Sequence, residues 1–137
     1  MEKKKILVID DEPDFLKLFQ IRLEANNFSV ATALSGKEGL EKIKNDRPDA
    51  VFLDILMPEM DGLEVLRIIR EHDAELPVFM ITVFSAVDKF DQERFKAARG
   101  LNATGFIFKT KDLDREIKNV ITLLEGIKDG KKKNSIG

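Results

Sequence analysis

Ile6-Leu7-Val8-Ile9-Asp10-Asp11-Glu12 sets four apolar residues directly against three carboxylates. The apolar run is too short for a helix and shows no polar alternation, which suits a central parallel strand covered on both faces. Three further runs have the same form. Ala50-Val51-Phe52-Leu53 stops at Asp54, Val78-Phe79-Met80-Ile81 at Thr82, and Phe106-Ile107-Phe108 at Lys109. Phe28-Ser29-Val30-Ala31-Thr32-Ala33 alternates more and reads as a strand nearer an edge.

Amphipathic stretches separate these runs. From Pro13 to Asn26, Phe15, Leu16, Phe19 and Leu23 recur at helical spacing, with Pro13 suited to the first turn. Ser35 and Glu38 form a capping box that opens a second helix. A third is expected from about Leu63 to Glu71, and a fourth, less regular, around Asp88 to Leu101. A fifth carries Leu113, Ile117, Val120, Ile121 and Leu124 on one face. A βα unit repeated five times implies a parallel sheet with right-handed crossovers and helices on both faces, a doubly wound α/β domain. The 137 residues fit one such domain, taken as 1–128, with a polar, mobile tail at 129–137.

Composition removes several function classes. Hydrophobic residues make up 43%, enough for a core, and the net charge of −2 creates no field directed at nucleic acid or an anionic membrane. The absence of cysteine excludes disulfides, thiolate metal sites and cysteine nucleophiles. The apolar stretch after Lys3-Lys4-Lys5 is too short for a signal peptide or a membrane span, so a soluble, cytoplasmic protein is expected.

Ligands of open α/β sheets bind outside the carboxyl ends of the strands. Those ends here are Asp10-Asp11, Asp54, Thr82 and Lys109, which brings three carboxylates, a hydroxyl and an ammonium toward one edge. Clustered carboxylates raise each other's pKa unless a cation joins them. Oxygen ligands without His or Cys favour a hard cation, and Mg²⁺ suits a site completed by phosphate oxygens and water. Three carboxylates, one dication and one ammonium balance in formal charge, so a phosphoryl donor can approach. A carboxylate can then attack phosphorus to give an aspartyl phosphate. Singly, each residue has an ordinary reading as a turn, a cap or a solvated strand end; the ordered set is what points to chemistry.

The set resembles the response regulator receiver family. The matching segments are Ile6 to Glu12, Asp54-Ile55-Leu56-Met57-Pro58-Glu59-Met60-Asp61-Gly62, Thr82, and Gly105-Phe106-Ile107-Phe108-Lys109, with residues 4–126 covered. The resemblance implies the flavodoxin-like strand order 2-1-3-4-5. It makes Asp54 the phosphoacceptor, Asp11, Asp54 and the Leu56 backbone carbonyl direct Mg²⁺ ligands, and Asp10 a ligand through water. Lys109 contacts the phosphoryl group, while Thr82 and Phe106 switch the surface of the fourth helix, fifth strand and fifth helix. The implied partners are a histidine kinase or phosphotransfer protein, and a downstream protein or an output domain of a longer chain. The resemblance admits a homodimer formed on phosphorylation. The role is a signalling switch that promotes its own phosphorylation and slow dephosphorylation, not an enzyme of turnover.

Three positions and one stretch depart from the pattern. Thr110 stands where the family carries proline after the lysine, and Val83 replaces a small residue, which narrows access for small donors. The stretch from Thr82 to Lys109 is longer than usual around Val83 to Gln92, and Asn102 replaces a glycine. Leu56 and Phe84 flank the path of water without hydrogen-bonding it, so a long-lived phosphoryl state is expected. The departures motivate one rival, a phosphorylation-independent protein-binding module, which the complete acidic, hydroxyl and lysine set opposes. A phosphatase of the haloacid dehalogenase type requires an acid two residues after its nucleophile, where Leu56 stands. A nucleotide or flavin site lacks its glycine or hydroxyl loop after the first strand. His72 and Lys131-Lys132-Lys133 read as solvated groups.

Overall fold

The apolar runs become strands, and their burial follows their position in the sheet. The computed structural model describes residues 3–83, 88–109, 112–128 and 131–132. In chain order it contains β1 (Lys5–Ile9), α1 (Pro13–Ala25), β2 (Ser29–Ala33), α2 (Gly36–Asn45), β3 (Ala50–Asp54) and α3 (Gly62–His72). Then come β4 (Val78–Thr82), α4 (Lys89–Gly100), β5 (Gly105–Phe108), α5 (Leu113–Glu125), β6 (Ile127–Lys128) and β7 (Lys131–Lys132). The five main strands form one parallel sheet in the order β2-β1-β3-β4-β5. Every residue of β3 is buried, whereas the edge strand β5 buries only Ile107 and the edge strand β2 only Ala33.

Successive side chains of a strand point to opposite faces, and two cores result. Ile6, Val8, Phe52, Phe79 and Ile81 meet Phe19 and Leu23 of α1 and Ile117 and Val120 of α5. Leu7, Ile9, Val51, Leu53 and Met80 meet Val65, Leu66 and Ile69 of α3 and Ala98 of α4. In the first core Phe19, Phe52 and Phe79 contact edge to face at centroid distances of 5.8 and 5.9 Å.

Side-chain caps set the starts of α2 to α5, whereas Glu12 at the start of α1 makes no such bond. Asp61 accepts from the Glu64 N–H, Asp88 from Phe90 and Asp112 from Arg115. At α2, Ser35 Oγ accepts from the Glu38 N–H at 3.1 Å, as its capping box predicts. The return bond differs: Glu38 Oε1 accepts from the N–H of Leu34, one residue earlier than the reciprocal pattern. Asn102 has φ of 64°, the left-handed conformation that asparagine tolerates in place of glycine. Beyond α5, β6, the last two residues of the expected domain, pairs antiparallel with β7, which falls in the expected tail; the rest of that tail lies outside the described residues. Among the described residues no helix is long and apolar enough to cross a membrane.

Candidate functional site

Parallel register brings the ends of β1, β3, β4 and β5 to one edge of the sheet. Ile9 lies opposite Leu53, Asp54 opposite Ile81 and Thr82 opposite Phe108. Lys109 is held beside Thr82 because its N–H donates to the Thr82 carbonyl at 2.9 Å. Asp10, Asp54 and Lys109 therefore meet although they are remote in sequence. A cleft of about 270 Å³ opens above them, lined by Asp11, Glu12, Asp54, Ile55, Leu56, Thr82, Val83 and Lys109.

Lys109 Nζ is the hub. It lies 2.7 Å from Glu12 Oε1, 3.3 Å from Asp10 Oδ2 and 3.7 Å from Asp54 Oδ2, and its side chain is nearly buried. On a further side the ammonium sits over the ring of Phe15, 4.2 Å from its centroid. Burial alone would depress the lysine pKa, but the Glu12 hydrogen bond and the charges of Asp54 and Asp10 outweigh it and raise it.

The two buried carboxyls are under the opposite stress. Asp54 is pushed up to about 7, first by burial and then by the charge of Asp10, with Lys109 offsetting only part. Asp10 is also raised by burial, against the Glu12 N–H and Lys109. Asp10 Oδ1 accepts from the Glu12 N–H at 2.9 Å. Its Oδ2 is fully buried and has no hydrogen-bond partner, only the looser ion pair with Lys109. Oxygens of Asp10, Glu12 and Asp54 lie within 4.8 Å of one another. This oxygen-only set, with one orphaned carboxylate atom and two carboxyls held above their ordinary range, fits a hard divalent cation.

Asp11 borders the cleft, outside that tight group, and Glu12 takes its place there. The sequence reading passed over Glu12 as a site residue, although its place directly after the acidic pair was a usable signal. Phe15 was legible only as a core aromatic. Leu56 projects at the rim, 54% exposed, and its N–H approaches Asp54 Oδ1 at 3.4 Å. Val83, which also lines the cleft, is 65% exposed. Phe106 is half-buried and stacks on Phe95 of α4 with centroids 4.2 Å apart. Phe84 and the Lys109–Thr110 junction, both singled out in the sequence, lie outside the described residues.

Similarity to known proteins covers most of the chain. The chain is 35% identical over 108 residues to the alkaline phosphatase synthesis transcriptional regulatory protein PhoP of Bacillus subtilis, a match spanning 79% of this chain and 42% of PhoP. The chain thus spans less than half the length of that relative. The receiver domain of NtrX from Brucella abortus is 34% identical with a TM-score of 0.77, covering 88% of this chain and 98% of that one. A CheY-like receiver domain protein from Methanospirillum hungatei, 24% identical, shares the fold with a TM-score of 0.80 over 90% of this chain and 95% of that one. The family model for the response regulator receiver domain matches residues 6–121. On its sequence, its sheet order and the acidic edge they build, the chain belongs to the response regulator receiver domain family of two-component systems.

Proposed function

We propose that the domain accepts a phosphoryl group on Asp54 in a Mg²⁺-dependent reaction with a histidine kinase or phosphotransfer protein. The observation that carries this reading is the buried Asp10–Asp54 pair, raised in pKa and offset by a single buried lysine. Asp10, Asp11, Asp54 and the Leu56 carbonyl would hold the cation. When bound, Mg²⁺ supplies charge neutralisation and Lewis-acid stabilisation of phosphoryl oxygens. Asp54 acts as the nucleophile in its ionised form, which the charge of Lys109 favours.

Asp54 Oδ attacks phosphorus in line, the P–N bond to the donor imidazole breaks with its electron pair staying on nitrogen, and the imidazole leaves as a neutral ring that keeps the proton already on its other nitrogen. Lys109 stands 3.7 Å from Asp54 Oδ2, where its charge stabilises the equatorial oxygens. The Thr82 hydroxyl then bonds a phosphate oxygen, and Phe106 shifts from its stack on Phe95 to alter the surface of α4, β5 and α5. Moving such an equilibrium from 1:99 to 99:1 takes about 5.5 kcal/mol, within reach of a few charge-assisted hydrogen bonds. The switched surface acts on a downstream protein or an output domain, in keeping with the regulatory names of the relatives, and is the place for a phosphorylation-dependent homodimer. The role is signalling rather than turnover.

The test is intact mass after incubation with acetyl phosphate and Mg²⁺, then with phosphorylated histidine kinases. One phosphoryl adduct that needs the metal and is absent from Asp54→Ala is the expected result. No adduct from either class of donor would overturn the proposal and leave a phosphorylation-independent binding module.

A further inference from the structure

We infer that Phe15 is a positioning residue for Lys109, its ring face fixing the ammonium beside the acidic pair. This rests on the proposed phosphoryl transfer. Phe15 stands three residues after Glu12, so both lie on one side of the first turn of α1. Together they grip Lys109 Nζ, the carboxylate at 2.7 Å and the ring centroid at 4.2 Å. The face of an aromatic ring is negative and attracts a cation, more strongly where water is excluded, and this lysine side chain is only 8% exposed.

The ring is itself held, as it packs against the core formed by α1, α5 and the sheet, and lies 6.2 Å from Phe19. It is therefore a fixed surface against which a long, rotamer-rich side chain rests. Lys109 has four flexible carbons and no rigid fork of donors. Its other partners are carboxylates, one of them on the solvent side: Glu12 is 57% exposed. Attraction to Glu12 alone would leave the ammonium free to follow that carboxylate outward. The ring supplies an attraction that does not move and carries no net charge to compete with an incoming phosphoryl group. Preorganised charge of this kind stabilises a transition state without reorganising when the reaction occurs.

An ordinary core aromatic would make the same hydrophobic contacts, so the test must read the ring's electronics. Phe15 is replaced by mono-, di- and trifluorophenylalanine, which keep its shape while weakening the negative face, and by Tyr and Leu. Two quantities are read: the Mg²⁺-dependent rate of acetyl phosphate labelling, and the proton shifts of the Lys109 side chain. The expected result is a rate falling with each fluorine, by about three- to thirtyfold at three fluorines. Phe15→Tyr restores it, and upfield ring-current shifts at Lys109 vanish only in Phe15→Leu. Equal or faster rates across the fluorinated series, or no upfield shift in the wild type, would overturn the inference. Failure of the underlying reading is distinct, since the wild type would then take no label while the ring-current shifts remained measurable.

Discussion

Asp54 has a carboxyl held at about 7 inside a fold that buries it beside Asp10. In the unfolded chain the same group releases its proton near pH 4. Between those values the folded state binds the extra proton. The stabilisation is therefore full below the unfolded pKa and lost as pH rises through about 7. In chelator, the wild type is expected to lose on the order of 1–3 kcal/mol of unfolding free energy between pH 5 and pH 8. Asp54→Asn, with nothing to ionise, should lose less, and denaturant melts of the two proteins across that range check it. Parallel losses would mean that the carboxyl is not stressed by the fold. Asp10, Asp54, Thr82 and Lys109 were all legible in the sequence, because each ends an apolar run. Glu12 and Phe15 were not placed around Lys109, because that grouping exists only once β5 lies across the sheet from the start of α1.

The elements were legible wherever hydrophobic period and end chemistry agreed. Continuous apolar runs marked the inner strands β1, β3 and β4, and the more alternating run marked the edge strand β2; Phe106-Ile107-Phe108 has the inner-strand pattern yet forms the edge strand β5, with only Ile107 buried. Helix limits shifted by a residue or so where a cap decided them. Gly62 shows what a pattern alone does not weigh. It opens α3 so close to the end of β3 that an added Cβ would lie 2.1 Å from the Asp54 carbonyl oxygen and 2.8 Å from the Ile55 Cα. Both neighbours are backbone, so they cannot swing aside. Gly62→Ala is expected to cost about 2–3 kcal/mol and to displace Asp54. Gly100, at the end of α4, faces open space; Gly100→Ala should be neutral or stabilise by up to about 1 kcal/mol. Urea denaturation of the pair checks both, and equal stabilities would show that β3 and α3 have room to part.

At the scale of the whole molecule, the acidic edge holds two buried carboxyls out of water without full compensation. A ligand that binds only the native state raises its stability by mass action, about 2.7 kcal/mol at a hundredfold excess over its dissociation constant. Thermal melts at pH 8 should therefore move up by several degrees with Mg²⁺, and the shift should disappear in Asp54→Asn. A similar shift in that variant would place the cation elsewhere. The doubly wound order was legible because five βα units leave few ways to connect a parallel sheet. The hairpin of β6 and β7 was not, since two-residue strands carry no periodicity to detect.

The site's parts are spread from Asp10 to Lys109 and converge only through the parallel register of four strands. No fragment and no half-folded intermediate brings a nucleophile, its acidic neighbour and its lysine together. On the proposed chemistry, reactivity is thus a readout of foldedness. A damaged or heat-loosened molecule falls silent rather than sending a false message, and the fraction labelled by saturating donor is a direct census of intact domains.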